Sequence, residues 1–330
     1  MSNLPEAPFA DLDPDRILEA VESLGFVCDG RVLALNSYEN RVYRIGRENN
    51  LPLVAKFYRP ERWTDEAILE EHAFSAELLA ADISVVAPLR IHERTLHHDE
   101  DLRFALFPMQ GGHAPEPGDK ETLIHIGRAL GRLHSVGSSK NFIHREKLGI
   151  RKHAEEPVHY LLEANWLPPT LEDNFISLSE QLIDEIENAW RRAGNFHTLR
   201  LHGDCHPGNL LWRDDTVHFV DLDDALTGPA MQDVWMLLNG SRETRAQQLA
   251  WILEGYEVFR RFNRAELHLI EALRAIRIIH YHAWIARRWH DPAFPAAFPW
   301  FESSRHWEGV ITQLQEQLAI MHEPVLVLRQ

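Results

Sequence analysis

The first hundred residues alternate short apolar runs with polar turns, a pattern typical of β-strands. Such runs predict strands at residues 32–35, 41–45, 52–58, 87–92 and 103–108. Asp13 followed by Pro14 predicts the start of a helix that reaches about Leu24, since aspartate caps helices and proline suits the first turn. The elements together predict a small antiparallel sheet with one main helix against it.

One amphipathic helix is predicted between the third and fourth of these strands. Ala67, Phe74, Leu78 and Ala81 recur at intervals that place them on one helix face, and Glu71 falls on the same stripe. We therefore expect Glu71 to face inward. The other acidic residues of this helix share the opposite face, where contact with solvent is the ordinary interpretation, and they are Glu66, Glu70 and Glu77.

Helical periodicity dominates the rest of the chain. A helix is predicted over residues 121–136 with Gly137 as its stop, and others over residues 176–193, 242–262, 265–289 and 301–322. The predicted class is α+β with two lobes, a sheet-containing lobe at residues 1–109 and a larger, mostly helical lobe at residues 110–330. The boundary is placed where a strand ending at Met109 enters Gln110-Gly111-Gly112, a flexible exit where two lobes could hinge.

Composition narrows the class of protein. The chain has 330 residues and a formal net charge of -16, which argues against general binding to nucleic acid or to anionic membranes. Cys28 and Cys205 are too few for a disulfide framework, and residues 1–10 lack the features of a signal peptide. No apolar run reaches membrane-spanning length. We expect a cytoplasmic protein that acts as a monomer.

The most informative chemistry lies in two stretches close together in the chain. Residues 202–209 read HGDCHPGN and residues 219–224 read FVDLDD. Asp204 precedes Asn209 by the spacing of the kinase pattern H-x-D-x-x-x-x-N, in which the aspartate accepts the proton of the attacking hydroxyl. Asn209 and Asp221 supply hard oxygen ligands for Mg²⁺, and Asp221 follows an apolar strand. Asp204 and Asp221 are the candidate catalytic residues.

Two other interpretations of these stretches stay open. Asp221, Asp223 and Asp224 could form a solvated acidic turn without a bound cation. A hydrolase-type zinc site could instead use ligands drawn from His202, Asp204, Cys205, His206 and His218. Pro207-Gly208 interrupts that second set, and no further His/Cys cluster with ligand spacing follows.

A lysine that contacts the phosphates of a nucleotide is expected earlier in the chain than these two stretches. Lys56 lies inside the apolar strand at residues 52–58, in a context similar to the V-A-I-K pattern that contacts phosphates. A buried lysine needs a charged partner, and the inward-facing Glu71 is the predicted one. The alternative is a lysine at the strand end that extends to water.

The turn at residues 36–40 stands where a glycine-rich phosphate loop would lie, but it has no glycine at its tip. Ser37, Asn40 and the turn's backbone N–H groups could still bind phosphate oxygens. An ordinary polar hairpin is the alternative interpretation.

Several longer strings carry a resemblance, namely residues 36–43, 56–63, 202–209 and 219–224 with Gly228-Pro229 and Asp233. Through them the chain resembles the aminoglycoside phosphotransferase and choline kinase branch of the protein-kinase-like fold over nearly its whole length. Within that branch it is most similar to bacterial serine/threonine protein kinases associated with surviving stress. D-F-G, A-P-E and G-x-G-x-x-G are absent where each is expected, so an activation-loop switch is doubtful.

The resemblance implies that Asp204 is catalytic, that Asn209 and Asp221 bind Mg²⁺, and that Ser37 and Lys56 contact ATP. Glu71 is grouped with these ATP-side residues as the partner of Lys56. The implied reaction transfers the γ-phosphate of ATP to serine or threonine hydroxyls of a protein substrate. The rivals are a kinase of small-molecule hydroxyls, of the aminoglycoside, choline or homoserine type, and a non-catalytic ATP-binding module.

Two further groups of residues have a functional and a structural interpretation. A basic cluster could receive an acidic substrate peptide or could be a solvated loop, and it comprises Arg145, Lys147, Arg151, Lys152 and His153. Late aromatic residues could line a substrate groove or form a second core, and they are Trp284, Trp289, Phe294, Phe298, Trp300 and Phe301.

Overall fold

The computed structural model describes residues 8–116 and 118–328. Its strands are β1 (Cys28–Ala34), β2 (Arg41–Arg47), β3 (Asn50–Phe57), β4 (His97–Asp99), β5 (Leu102–Pro108), β6 (Leu199–Leu201), β7 (Leu210–Arg213), β8 (Thr216–Phe219) and β9 (Leu226–Gly228). Its α-helices are α1 (Pro14–Glu22), α2 (Asp65–Ala80), α3 (Lys120–Gly137), α4 (Glu156–Glu163), α5 (Pro169–Ala193), α6 (Met231–Trp235), α7 (Arg242–Tyr256), α8 (Ile270–Arg287), α9 (Ala293–Ala297) and α10 (Ser304–Met321).

The chain forms two compact units. The first comprises residues 8–115, 142–145 and 207–225, and the second comprises the remaining described residues. The predicted α+β class, with a small antiparallel sheet in the N-terminal part and a mostly helical remainder, is confirmed. The boundary predicted after Met109 stays a prediction, and residues 207–225 are grouped with the N-terminal unit although they come late in the sequence.

The first unit is built on a five-stranded sheet in the order β1-β2-β3-β5-β4, with every neighbouring pair antiparallel. The core on this sheet contains Ile17 of α1 with Phe57 and Phe104, which stack at 5.4 Å between ring centroids. The side chain of Asp13 accepts a hydrogen bond from the N–H of Arg16, so the predicted cap of α1 is confirmed.

The strand predicted at residues 87–92 is wrong. In that stretch Leu89 donates one backbone hydrogen bond to Leu106, and Ile91 forms an isolated bridge with Arg94. Pro88 has no N–H to donate, and His92 and Glu93 both have positive φ, so the chain turns there instead of extending. The edge strand is the later β4.

The second unit is organised around helix pairs. Helices α3 and α7 approach so closely that a Cβ on Gly127 would lie 2.0 Å from the carbonyl oxygen of Ile252. Glycine is therefore required at this crossing. A second cluster of buried residues joins α5, α8 and α10 and includes Phe175, Ile279 and Trp307.

The helix predictions for this unit hold in part. Helix α3 matches its predicted range closely. Helix α5 starts earlier, at Pro169, and α7 ends earlier, at Tyr256. Residues 264–269 form a 3-10 segment before α8 begins. Within residues 8–116 and 118–328, no helix combines the length and the apolar character that crossing a membrane requires.

Candidate active site

The hairpin of β7 and β8 sets the positions of two candidate metal ligands. Leu210 pairs with Phe219, and the N–H of Val220 donates to the carbonyl oxygen of Asn209 over 3.1 Å. Asn209 and Asp221 therefore leave the hairpin at the same end. Positive φ angles at residues 214 and 215 make the two-residue turn that fixes this register.

Asp221 follows β8, as predicted, with Val220 between them, and its backbone is left-handed, with φ 58° and ψ 68°. A non-glycine residue in this region costs about 1–2 kcal/mol, which the surrounding contacts must offset. Its side chain is 53% exposed. The turn thus presents a carboxylate away from the strand, while the following residues, Leu222–Asp224, form a 3-10 turn.

Lys56 on β3 is buried and paired with two carboxylates of that turn. Its Nζ lies 2.7 Å from Oδ1 of Asp221 and 3.2 Å from Oδ1 of Asp223. Burial would lower the pKa of Lys56, but the charges of Asp221 and Asp223 outweigh it and raise that pKa above its ordinary value. Lys56 is therefore a permanent cation next to an exposed carboxylate.

Glu71 on α2 is buried as predicted, but its ion pair with Lys56 is not formed. Within the described residues, the carboxylates within 4.0 Å of Lys56 Nζ belong to Asp221 and Asp223. Glu71 instead accepts a hydrogen bond from Ser75 Oγ at 3.4 Å. Burial raises the pKa of Glu71 to about 7, against the opposing charge of Lys56. The prediction failed because Asp223, distant in sequence, takes the position expected for Glu71.

Asp223 is the buried centre of this arrangement. Its Oδ2 accepts hydrogen bonds from Arg62 and, at 3.1 Å, from Asn40 Nδ2. Arg145 donates to its backbone carbonyl. Burial would raise the pKa of Asp223, but the positive charges of Arg62 and Lys56 hold it well below its usual range. A solvated acidic turn is therefore the wrong interpretation of Asp223.

The turn between β1 and β2 is held internally. Ser37 Oγ donates to the carbonyl oxygen of Asn40 over 3.1 Å, and the Asn40 amide oxygen accepts from the N–H of Arg59 over 3.0 Å. The Asn40 side chain is buried and joins this turn to Asp223. Both ends of its side-chain amide therefore bond within the protein, a structural role that the sequence did not indicate. The half-buried Ser37 keeps its predicted ATP contact as a proposal.

Glu70 was expected to face solvent and instead holds a loop. Its carboxylate accepts hydrogen bonds from the backbone N–H groups of Ile143, His144 and Arg145 at 2.6, 2.8 and 2.9 Å. The guanidinium of Arg145 lies 4.0 Å from the ring centroid of Trp63. The basic cluster predicted at residues 145–153 is therefore divided, because Arg145 is a buried structural group of the first unit.

In the second unit, Asp204 lies in the loop after β6. Its Oδ1 is 2.5 Å from Nη1 of Arg277 on α8, and its Oδ2 is 3.5 Å from Nε2 of His206. Cys205 is fully buried. Asp204, the candidate base, is therefore ion-paired with Arg277, a residue that the sequence analysis did not single out.

Asp233 fixes the backbone of this loop. Its carboxylate accepts the N–H groups of His202 and Gly203 at 2.9 and 2.8 Å, and also contacts His134 Nε2 at 3.0 Å. The other ring nitrogen of His134 bonds to Tyr256 Oη at 2.9 Å. Burial opposes ionisation of Asp233, but the hydrogen bond to His134 outweighs it and keeps the pKa of Asp233 below its usual value. His134 is buried and is connected through Asp233 to the loop that bears Asp204.

Helix α6 carries Asp233 and is also anchored through two preceding residues, Met231 and Gln232. Glu266 accepts the N–H of Met231 over 3.0 Å, and Gln232 Nε2 donates to the carbonyl oxygen of Gly203 over 2.8 Å. Burial raises the pKa of Glu266 to about 7. A chain of buried polar contacts therefore runs from Glu266 through α6 to the loop that bears Asp204.

The side chains that could bind a metal ion at this site offer oxygen atoms, which favour a hard cation over zinc. In the described parts of the chain, no three His, Cys, Asp or Glu side chains are grouped as ligands of one metal ion. The zinc alternative therefore has no support from the geometry. Asn209 and Asp221 offer two oxygen donors on one hairpin end. This set fits Mg²⁺, which usually binds one or two protein oxygens together with substrate phosphates and water.

Comparison with known proteins shows the family to which this sequence is related. Residues 31–270 match the phosphotransferase enzyme family. Stress response kinase A of Escherichia coli (strain K12) is 44% identical over 320 residues, covering 97% of each chain. Serine/threonine protein kinase RdoA of Salmonella typhimurium (strain LT2) is 43% identical over 320 residues, again covering 97% of each chain.

Solved structures agree at the level of the fold. The amicoumacin kinase hAmiN, in complex with AMP-PNP, Ca²⁺ and Ami, has a TM-score of 0.75 and 16% identity, and the match covers 94% of both chains. A microcompartment-associated aminopropanol kinase has a TM-score of 0.71 and 16% identity, covering 96% of this chain and 100% of the other. The chain therefore belongs to the phosphotransferase enzyme family, together with the stress response kinases that match it over nearly their whole length.

Proposed function

We propose that the chain is a magnesium-dependent kinase that transfers the γ-phosphate of ATP to serine and threonine hydroxyls of proteins, and that it acts in a stress response. The observation that carries this proposal is the pairing of buried Lys56 with Asp221, next to Asn209 on the same hairpin end. The names of the relatives support a protein acceptor and a stress role. The unpaired cysteines, Cys28 and Cys205, support the cytoplasm as the place of action.

The first unit supplies the phosphate donor side in this proposal. Lys56 offsets negative charge on the phosphates, and Ser37 contacts ATP. Asn209 and Asp221 would hold Mg²⁺, which supplies positive charge to the phosphate oxygens when it is bound. The buried network around Asp223 keeps Lys56 and the turn after β8 in fixed positions before substrates arrive.

The second unit supplies the acceptor side. Asp204 orients the acceptor hydroxyl and takes its proton as the oxygen attacks the γ-phosphorus. The new bond joins that oxygen to phosphorus, and the bond between phosphorus and the bridging β,γ-oxygen breaks, so ADP leaves with the electron pair. Asp233 holds the backbone of the Asp204 loop through the N–H groups of His202 and Gly203. No covalent enzyme intermediate is needed.

A small-molecule hydroxyl kinase is the second candidate, because hAmiN and the aminopropanol kinase carry such names on the same fold. A cationic acceptor would require an acidic pocket around the base. Asp204 is instead ion-paired with an arginine, Arg277, which favours a different acceptor.

The test is a transfer assay with purified protein, magnesium and γ-labelled ATP. One reaction contains a general protein substrate and another contains a mixture of small alcohols, each beside an Asp204→Ala control. We expect label on protein serine or threonine that disappears in the variant while ATP binding persists. Label confined to small alcohols would assign the protein to the second candidate function. Near-normal turnover of Asp204→Ala would show that Asp204 is not the base.

A further inference from the structure

A cavity of about 350 Å³ opens to solvent on the second unit, between α8 and the start of α10. The residues that line it all belong to this unit, and none of them is a candidate catalytic residue. They include His282 on α8, Trp300 in the preceding loop, and Arg305 and Gly309 on α10. The volume suits a small molecule, since ligand pockets in proteins commonly measure about 300–1,000 Å³.

The wall formed by α8 holds a hydrogen-bond acceptor that no protein group uses. His282 is 5% exposed, and its Nδ1 lies 2.7 Å from the carbonyl oxygen of Ile278. A carbonyl oxygen only accepts, so Nδ1 carries the hydrogen. Burial lowers the pKa of His282, so the ring is neutral at neutral pH and its Nε2 is an acceptor. Among the described residues, none hydrogen-bonds to this Nε2, and the atom is not sealed from solvent.

Trp300 gives the cavity an aromatic wall. It is 41% exposed, and the ring of His306 lies against it at 4.5 Å between centroids. His306 lies 5.2 Å from His282 in turn, so the three rings form a continuous lining. Burial lowers the pKa of His306 to about 4, which leaves this lining uncharged at neutral pH. A planar aromatic ring is the group that packs best on such a surface.

The charge at the cavity favours an anion although the whole chain is acidic. No acidic residue lines the cavity, and Arg305 does. Arg305 is exposed, and in the described parts of the chain no carboxylate lies within 4.0 Å of its guanidinium. Of the two glutamates nearest in sequence, Glu302 and Glu308, the first accepts a hydrogen bond from Trp289 Nε1 at 3.1 Å. The N-terminal end of α10, which Ser303 caps, also favours negative charge.

Gly309 leaves space in the cavity. It lies inside α10, where alanine would be the better helix former. A Cβ at this position would meet nothing within 4 Å, so no packing contact requires glycine here. A larger side chain at position 309 would therefore extend into the cavity without a clash at its base.

We propose that this cavity binds a small aromatic acid that also carries a hydrogen-bond donor on its ring system. The donor, a phenol O–H or a ring N–H, bonds to His282 Nε2. The ring packs on Trp300 and His306, and the carboxylate lies at Arg305. The site is separate from the proposed kinase chemistry and does not depend on it.

The test uses three small probes that differ by one group each. 4-Hydroxyphenylacetate has the donor, the ring and the carboxylate, whereas phenylacetate lacks the donor and tyramine has an ammonium group in place of the carboxylate. Isothermal titration calorimetry of the full chain should give a Kd below about 1 mM for 4-hydroxyphenylacetate. Phenylacetate should bind about tenfold more weakly, and tyramine about fivefold more weakly.

Variants of the lining residues locate the binding. Gly309→Leu should abolish it, because the new side chain fills the cavity, and Ala319→Leu, at an exposed position later on α10, is the matched control and should bind as the wild type does. His282→Phe keeps a ring of similar size and removes the acceptor, so it should bind both acids equally. Arg305→Gln should weaken the binding of both acids by the same factor, about two- to fivefold.

Thermal unfolding without ligand shows which variants are folded, and the result for Gly309→Leu decides the proposal even if His282→Phe is not. No saturable binding of 4-hydroxyphenylacetate to the wild type, or unchanged binding to Gly309→Leu, would overturn the site. Equal Kd values of the wild type for 4-hydroxyphenylacetate and phenylacetate would overturn the part given to His282 and with it the proposed class of ligand.

Discussion

Asp223 is the residue on which the cations of the first unit converge. Its carboxylate is buried and bonds to Lys56, Arg62 and Asn40. Such a carboxylate cannot be removed cheaply, because its partners remain buried and charged. The effects of substitutions in this unit should therefore depend on whether a carboxylate is buried or exposed, even within the same short turn.

Asp223→Ala should lower the free energy of unfolding by about 3–5 kcal/mol, the usual cost of leaving buried charges without their partner. Asp224→Ala is the matched control, since the Asp224 side chain is 49% exposed although it also pairs with Arg62. Its cost should be about 1 kcal/mol or less. Urea denaturation of both variants measures the difference. Equal costs would show that Asp223 is not the centre of the network.

The candidate catalytic residues could be predicted from sequence because their chemistry is local. Asp204 and Asn209 are close in the chain, and Asp221 follows a recognisable strand. Asp223 and Arg277 could not be predicted in this way. The bond from Asn40 to Asp223 spans 183 positions, and the pair of Arg277 with Asp204 spans 73. Residue spacing carries no information on contacts that the fold brings together over such separations.

At the scale of elements, α6 depends on a carboxylate that prefers to be protonated. Glu266 lies in the 3-10 segment before α8, where its buried carboxylate contacts the first residue of α6, and its pKa is raised from the ordinary 4.5 to about 7. A raised pKa means that the folded state binds the proton more tightly than the unfolded state. The stabilising contribution is therefore complete below pH 4.5 and is lost as the pH rises through about 7.

Glu266→Gln should remove this dependence, because glutamine keeps an acceptor for the Met231 N–H and does not ionise. The free energy of unfolding of the wild type should fall relative to Glu266→Gln by roughly 2–3 kcal/mol between pH 4.5 and pH 8. Urea denaturation across that range provides the measurement. Glu308→Gln, at an exposed position on α10, should track the wild type. Parallel curves for wild type and Glu266→Gln would contradict the assignment.

The crossing of α3 and α7 gives a second prediction at this scale. A Cβ on Gly127 would lie 2.0 Å from the Ile252 carbonyl oxygen, whereas one on Gly309 of α10 would meet nothing within 4 Å. Gly127→Ala should destabilise by about 1–3 kcal/mol through overpacking. Gly309→Ala should stabilise by about 0.5–1 kcal/mol, because alanine is the better helix former. Thermal unfolding of the two variants should shift in opposite directions, and a stabilised Gly127→Ala would disprove the close packing.

Element prediction succeeded where the periodicity was long and failed where backbone chemistry intervened. The face of α2 and the range of α3 followed from hydrophobic spacing. The segment around Pro88 did not, because its apolar character resembles a strand while proline and two residues with positive φ prevent one. Glu70 lies on the polar side of α2, where its bonds to the backbone of residues 143–145 leave no trace in the pattern.

At the scale of the whole molecule, the class of fold could be read from the change between short apolar runs and long helical periodicity. The grouping of residues 207–225 with the N-terminal unit could not, since it depends on contacts such as the bridge between Val85 and Phe219. The proposed catalytic roles are also divided between the two units. The proposed donor side lies in the first unit, and the proposed base lies in the second.

Because of this division, substitutions in the two units should differ in how they change the stabilisation of the protein by ATP and magnesium. A ligand that binds only the folded state stabilises it by about 2.7 kcal/mol at a concentration of 100 times its Kd, so ATP with magnesium should raise Tm by several degrees. Asp221→Asn should lose most of that increase, because it removes a proposed metal ligand. Asp204→Ala should keep the increase in Tm, because the base is not needed to bind the phosphate donor.

Differential scanning fluorimetry of each variant with and without ATP and magnesium measures the increase against that variant's own ligand-free Tm. An undiminished increase in Asp221→Asn would place the metal ligands elsewhere, and a lost increase in Asp204→Ala would give Asp204 a part in binding the nucleotide.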